Sequence, residues 1–230
     1  LGRAEQAELL IDGVSIDALS GGGAEKTCDA QLALATAHVD AGAVDAGVAA
    51  LAQTLATCRS PRFLLERLPE LVDLLARRGR ESDARALLLS VRDDAGAQDV
   101  GRQAASLELG RLGSAPDLER ASSGPDHALA SLARIEIADR LLAGGEGAKA
   151  RTMLRRVADD SDAEPFPRGL ARLGLGRIAG GAGDQAAARI WFALARDESG
   201  DAWLREQATE ALRALDSPEE VGPGPAEGTE

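Results

Sequence analysis

The chain has no tyrosine, no asparagine, one methionine, two tryptophans and three phenylalanines. With so few rings, helix and core contacts must be made by Leu, Val and Ala. Only two histidines are present, His38 and His127, and neither stands in a metal-ligand spacing such as HExxH. Two cysteines without further ligands cannot form a tetrahedral zinc site. No apolar run approaches the ~20 residues that span a bilayer, so no transmembrane segment is expected. No segment alternates like a strand apart from VSIDAL near the start. A formal net charge of −12 argues against a nucleic-acid partner, because it would repel a phosphate backbone. The same surplus favours a monomer or a weak homo-oligomer. The chain begins with Leu, without an initiator Met or signal sequence, which reads as a processed protein or an excised domain.

What is present is helical and periodic. Ala, Leu, Arg, Glu and Gln dominate long stretches, all favourable helix formers. Glycines recur at Gly42, Gly79, Gly113, Gly145 and Gly183, a spacing typical of arrays whose unit is a pair of antiparallel helices. Small residues recur twelve apart across these turns: Ala35 and Gly47, Val72 and Ala84, Ala138 and Ala150, Gly176 and Ala188. Axes approach to roughly 8 Å only where contact residues are small, so each pair predicts a close crossing. Four residues later come Leu51, Leu88, Leu154 and Phe192, and three further on Thr54, Val91, Val157 and Ala195. That i, i+4, i+7 stripe commits one face of each second helix to packing. The first helices carry Leu34 and His38, Leu71 and Leu75, Leu109, Ile137 and Leu141, and Leu175 on the matching face, which makes His38 a core residue.

At these residues the chain resembles the tetratricopeptide repeat family of bacterial proteins, over roughly residues 29 to 199. LGLGRIAGGAGDQAAARIWFALA, within residues 169 to 202, lies nearest the family pattern. The resemblance implies an all-α, right-handed α-solenoid of about five hairpins with a C-terminal capping helix. The third unit departs from it: LGSAPDLERASSGP leaves room for only a short second helix, bracketed by Pro116 and Pro125.

Four segments follow. Residues 1–27 read as an N-terminal helix and a glycine-rich joint at Ser20 to Gly23, and residues 28–200 as the repeat array. Residues 201–216 read as an amphipathic cap presenting Trp203, Leu204, Ala208, Ala211, Leu212 and Leu215. Residues 217–230 form a Pro/Gly/Glu-rich tail expected to be disordered. Cys28 and Cys58 fall at the same end of the first hairpin, so a disulfide is geometrically allowed, and with it a periplasmic or otherwise exported location. The alternative is two small apolar residues at helix ends in a cytoplasmic protein.

Catalytic chemistry is not indicated. There is no GxSxG elbow, and GLGRIAGGAG lacks the GK[ST] and the preceding strand of a phosphate loop. Asp93-Asp94 and Asp159-Asp160-Ser161-Asp162 sit where helix caps and turns are expected. Arg77, Arg78 and Arg80 close a helix end, where cations complement the dipole. The reading is therefore a non-enzyme with no cofactor and no metal, whose partner is a protein or peptide.

In the family, first helices line a concave groove. The matching positions are Leu32, Thr36, Val39 and Asp40; Asp73, Ala76 and Arg77; Gln103, Leu107 and Arg111; Leu132, Ile135, Asp139 and Leu142; Leu170, Leu173 and Arg177. They suggest an apolar strip edged by charges. Lys occurs only at Lys26 and Lys149 and Asn nowhere, so the family's Lys/Arg/Asn clamp for acidic chaperone C-termini is not expected. The function implied is an adaptor or assembly scaffold holding a partner segment. The alternatives are a self-associating structural module and a regulatory domain of a larger polypeptide.

Overall fold

A computed structural model describes residues 23–58 and 60–216, so the expected helix at residues 2–11, the VSIDAL segment, most of the glycine-rich joint and the tail lie outside the described residues. Among the described residues there are eleven helices and no strand. In chain order they are α1 (Gly23–Asp40), α2 (Val44–Thr57), α3 (Pro61–Arg77), α4 (Glu81–Asp93), α5 (Asp99–Arg111), α6 (Ala115–Ser122), α7 (His127–Ala143), α8 (Gly147–Ala158), α9 (Pro165–Gly181), α10 (Gln185–Glu198) and α11 (Ala202–Asp216). The chain divides into two compact units between Ala133 and Arg134, inside α7.

The five spaced glycines adopt φ between +69° and +104°, and no other residue type among those described has positive φ. Each ends a helix in the same way. The amide of the following residue donates to the carbonyl five back, at 2.7 to 3.0 Å: Ala43 to His38, Arg80 to Leu75, Ser114 to Leu109, Glu146 to Leu141 and Asp184 to Ala179. The glycine amide itself donates to the carbonyl three back. This is the Schellman arrangement, which satisfies orphan carbonyls and needs a left-handed residue that only glycine adopts cheaply.

In the N-terminal unit α1 packs on α2, α3 on α4 and α5 on α6, while α2 meets α4, and α3 meets α5. The twelve-residue pairs lie inside: Ala35, Gly47, Val72 and Ala84 are buried, as are Leu51, Leu88, Thr54 and Val91. Gly47 marks a close approach of α2 to the backbone of α1. A Cβ there would lie 3.0 Å from both the Ala35 carbonyl oxygen and the Val39 amide nitrogen. The turns are also tied together, since Arg78 donates to Val39 O at 3.0 Å and to Asp40 Oδ1 at 2.8 Å, and Arg80 pairs with Asp45 at 2.8 Å. Cys28 and Cys58 form a disulfide across the open end of α1 and α2, with Cα atoms 5.7 Å apart.

In the C-terminal unit the end of α7 joins α8 and α9 in one core of Ala138, Ala150, Leu154, Val157, Ala158, Ala171 and Leu175. A second core, of Leu173, Ala179, Ala188, Phe192, Ala195, Leu204 and Ala208, binds α9, α10 and α11. Asp201 caps α11, its Oδ1 accepting from the Leu204 amide at 2.9 Å. Leu204 and Ala208 are buried and Ala211, Leu212 and Leu215 pack over them, but Trp203 points away from that core, 51% exposed.

Candidate partner-binding surface

The residues carried over from the repeat pattern separate into two groups by burial. Leu32, Val39, Gln103, Leu107 and Leu173 lie inside their units. Their first-helix positions face neighbouring helices as well as any outer face, because α1, α3, α5 and α9 are each packed by more than one other helix. Asp40, Asp73, Arg77, Arg111, Asp139 and Arg177 are exposed, and Thr36, Ala76, Leu132, Ile135, Leu142 and Leu170 half-buried. Thr36 turns its hydroxyl back to the Leu32 carbonyl at 2.9 Å. Asp40 is engaged by Arg78, and Arg111 donates to Glu108 at 2.6 Å.

In the C-terminal unit, residues of α7 and α9 build a mixed surface. Ile135 and Leu142 pack on the core around Ala138 and Leu154, and Leu170 on the core around Leu173 and Phe192. Asp139 lies between Ile135 and Leu142 in sequence. Partial desolvation raises its carboxyl pKa above the ordinary aspartate range, Glu136 adds to the rise, and Arg177 on α9 opposes it. An acid whose folded pKa is raised opposes folding above its usual pKa, so Asp139 is kept at a cost to stability near neutral pH. A partner cation set against it would relieve that cost.

The third hairpin is built differently. α6 is only eight residues, with Pro116 in its first turn, and a side-chain network replaces the missing helix length. Gln103 Nε2 donates to the carbonyls of Ala121 (2.9 Å) and Asp126 (3.0 Å), and its Oε1 accepts from the Asp126 amide at 2.9 Å. A Cβ on Gly124 would overlap the Gln103 amide group, so a larger residue there would push Gln103 off these bonds. Asp117, 5% exposed, is the other anchor. Arg92 of α4 approaches it at 3.0 and 3.2 Å, Ser114 Oγ donates at 2.6 Å, and Arg120 closes the third side. Burial pushes the Asp117 carboxyl up, but Ser114, Arg92 and Arg120 outweigh it and hold the pKa below the ordinary value.

The sequence pattern did not single out Asp117, Arg92 or Arg120. The only local signal was Ser114 three residues before Asp117; that Arg92 reaches across from the preceding hairpin is a tertiary fact. A depressed carboxylate pKa stabilises the fold above its unfolded value of about 3.9, and that contribution is lost as pH falls through the lowered folded value. Asp117→Asn is expected to cost roughly 2 kcal/mol at pH 7, less than a fully buried pair because Arg120 stays 58% exposed. Urea unfolding from pH 7 down to pH 2 checks it. The cost should shrink toward zero at acid pH, and a cost independent of pH would remove the charge argument.

Among the described residues no group of three or more His, Cys, Asp and Glu side chains could hold a metal ion. No helix among them is long and apolar enough to cross a membrane. No protein-family model and no curated protein matches the chain.

Proposed function

We propose that this chain is a tetratricopeptide-like α-solenoid that acts as a non-enzymatic adaptor or assembly scaffold, holding a segment of a protein partner against its first helices. The observation that carries this reading is the surface of α7 and α9 in the C-terminal unit. There half-buried Ile135, Leu142 and Leu170 flank two exposed opposite charges, Asp139 and Arg177. Apolar anchors at helical spacing with a charge of each sign suit an amphipathic or extended segment. The five identical glycine caps support a repeating hairpin architecture, and a rigid array loses little entropy on binding. The Cys28–Cys58 disulfide supports a periplasmic or otherwise oxidising location over the cytoplasm.

Affinity capture from the native source tests this, comparing wild type with Asp139→Arg and with Arg177→Glu. Both positions are exposed, so the variants should fold, as circular dichroism would verify, whereas a charge at Leu173, 2% exposed, would report on folding instead. A discrete protein partner depleted about tenfold or more by either variant is the expected result, matching the ~1.4 kcal/mol of a lost charge contact. A partner held equally by wild type and both variants would remove the α7 and α9 surface from the proposal.

One observation favours the structural alternative. Ile190 and Trp203 in the C-terminal unit are 61% and 51% exposed, large apolar side chains of the kind that mediate self-association. Light scattering of wild type and Trp203→Ser separates the readings, since a defined oligomer lost in the variant would favour the self-associating module.

A further inference from the structure

The third hairpin and the end of α4 also line a half-open pocket of about 350 Å³, which lies wholly within the N-terminal unit. Three arginines from three helices line it: Arg92 of α4, Arg102 of α5 and Arg120 of α6. Gln103 and Ser106 of α5 line it too, with Gly124 and Pro125 from the loop after α6. We propose that this pocket binds a small organic molecule through a single carboxylate.

Charge is the first argument. The three guanidiniums are balanced by Asp93, Asp99 and the Asp117 that Arg92 and Arg120 hold from behind, so the pocket is neutral in a chain whose formal net charge is −12. A neutral site lined by donors admits a monoanion at a lower electrostatic cost than a phosphate dianion. Donor accounting is the second. Arg92 is occupied, with Nε and Nη2 each 2.7 Å from Asp93 and Nη1 on Asp117. Arg102 uses one terminal nitrogen on Asp99 and Arg120 one on Asp117. Each guanidinium has five N–H donors in a planar fork, so Nε and the second terminal nitrogen of both remain for a ligand. Planar forks match the paired oxygens of carboxylates and phosphates alike, and the neutral lining favours the singly charged carboxylate.

Ser106 is the third argument. Its hydroxyl is buried without a hydrogen-bond partner, although a serine in a helix can turn back to the carbonyl four residues earlier, as Thr36 does. A buried unmade hydrogen bond costs stability, and its place in the wall of an arginine-lined pocket gives it a partner once a ligand oxygen is present. Ser106 is shut off from water in the free chain. Binding must therefore open the lining to reach it, and Arg102 and Arg120, 38% and 58% exposed, are the outer side chains of that lining. The wall behind is fixed, because Gln103 holds the 121–126 loop by three hydrogen bonds and Gly124 leaves room for it.

The test uses the full chain, amide NMR, and a set of small monocarboxylates, acetate, benzoate and phenylacetate, each beside its neutral primary amide. The expected result is that at least one acid shifts the amides of Gln103, Ser106 and Gly124, that its amide counterpart does not, and that residues 134–216 are unmoved. Arg102→Gln and Ser106→Ala should each weaken binding about tenfold, the loss of one hydrogen bond to a charged group. Ser106→Ala should leave the ligand-free melting temperature unchanged or raise it, which a purely structural serine would not do. No response to any acid up to roughly 10 mM, equal response to the amides, or undiminished binding in both variants would each overturn the proposal. Inorganic phosphate run in parallel should bind more weakly than the best acid, and tighter phosphate binding would overturn the carboxylate assignment.

Discussion

Phe192→Ala is expected to cost about 3 to 4 kcal/mol, in the range for deleting a buried phenyl group and leaving a cavity. Phe192 is 4% exposed in the core shared by α9, α10 and α11. The position is more informative than an ordinary core residue because of what faces it. Its ring carbons Cε1 and Cδ1 occupy the space where a Cβ on Gly176 would stand, with Cζ 2.9 Å away. The glycine in the middle of α9 is there to admit the ring, at a helix-propensity cost of roughly 1 kcal/mol relative to alanine. Gly176→Ala alone should therefore destabilise by about 1 to 3 kcal/mol through overpacking. In the Phe192→Ala background the same change should stabilise, by filling part of the cavity and restoring helix propensity. Urea denaturation of the four proteins gives the coupling, expected at about 2 kcal/mol or more. If Gly176→Ala costs the same in both backgrounds, the close crossing of α9 and α10 is not made by this pair.

Removing the Cys28–Cys58 bridge, by reduction or as a Cys28→Ser/Cys58→Ser double variant, should cost about 3 kcal/mol. The bridge closes 30 residues of chain, whose freedom it restricts mainly in the unfolded state. It joins the first turns of α1 to the end of α2, at the end of the hairpin opposite the turn at Gly42, where Leu32, Leu55 and Cys58 itself are buried beside it. The loss should therefore show first as local opening. Hydrogen exchange should rise in α1 and α2 before the rest of the chain responds, with a fall in midpoint temperature of roughly 10 °C. An unchanged exchange pattern after reduction would mean that the packing of α1 on α2 and α3 holds the hairpin without the bridge. The outcome bears on the proposed location, since a hairpin that depends on its disulfide needs an oxidising compartment.

Register was open to reading from sequence because it is local. The twelve-residue pairs and the large residues four positions later lie in the cores, and the five glycines take the left-handed conformation. Both follow from constraints within a single hairpin: helical periodicity fixes which side chains meet, and a Schellman cap admits little but glycine. The terminal helix was legible on the same grounds, except that Leu204, already buried in the first turn, takes the inner face, and Trp203, about 100° round the helix from it, is left outside.

The surface was legible only in part. Leu32, Val39, Leu107 and Leu173 belong to positions that look outward when one hairpin is considered alone, and the helices of adjacent hairpins bury them. Arg177 stays outside because its charge would be costly to desolvate, and Asp139, though at the surface, already bears part of that cost. The third hairpin is where tertiary structure decided most. The sequence determined that its second helix is short, through Pro116 and the run of small and polar residues ending at Pro125. It did not determine that Gln103 would read the loop backbone, that Arg92 would cross from α4 to a buried Asp117, or that a pocket would open between them. Those contacts join residues 18 to 25 positions apart, and long side chains carry no periodicity that would announce where they end.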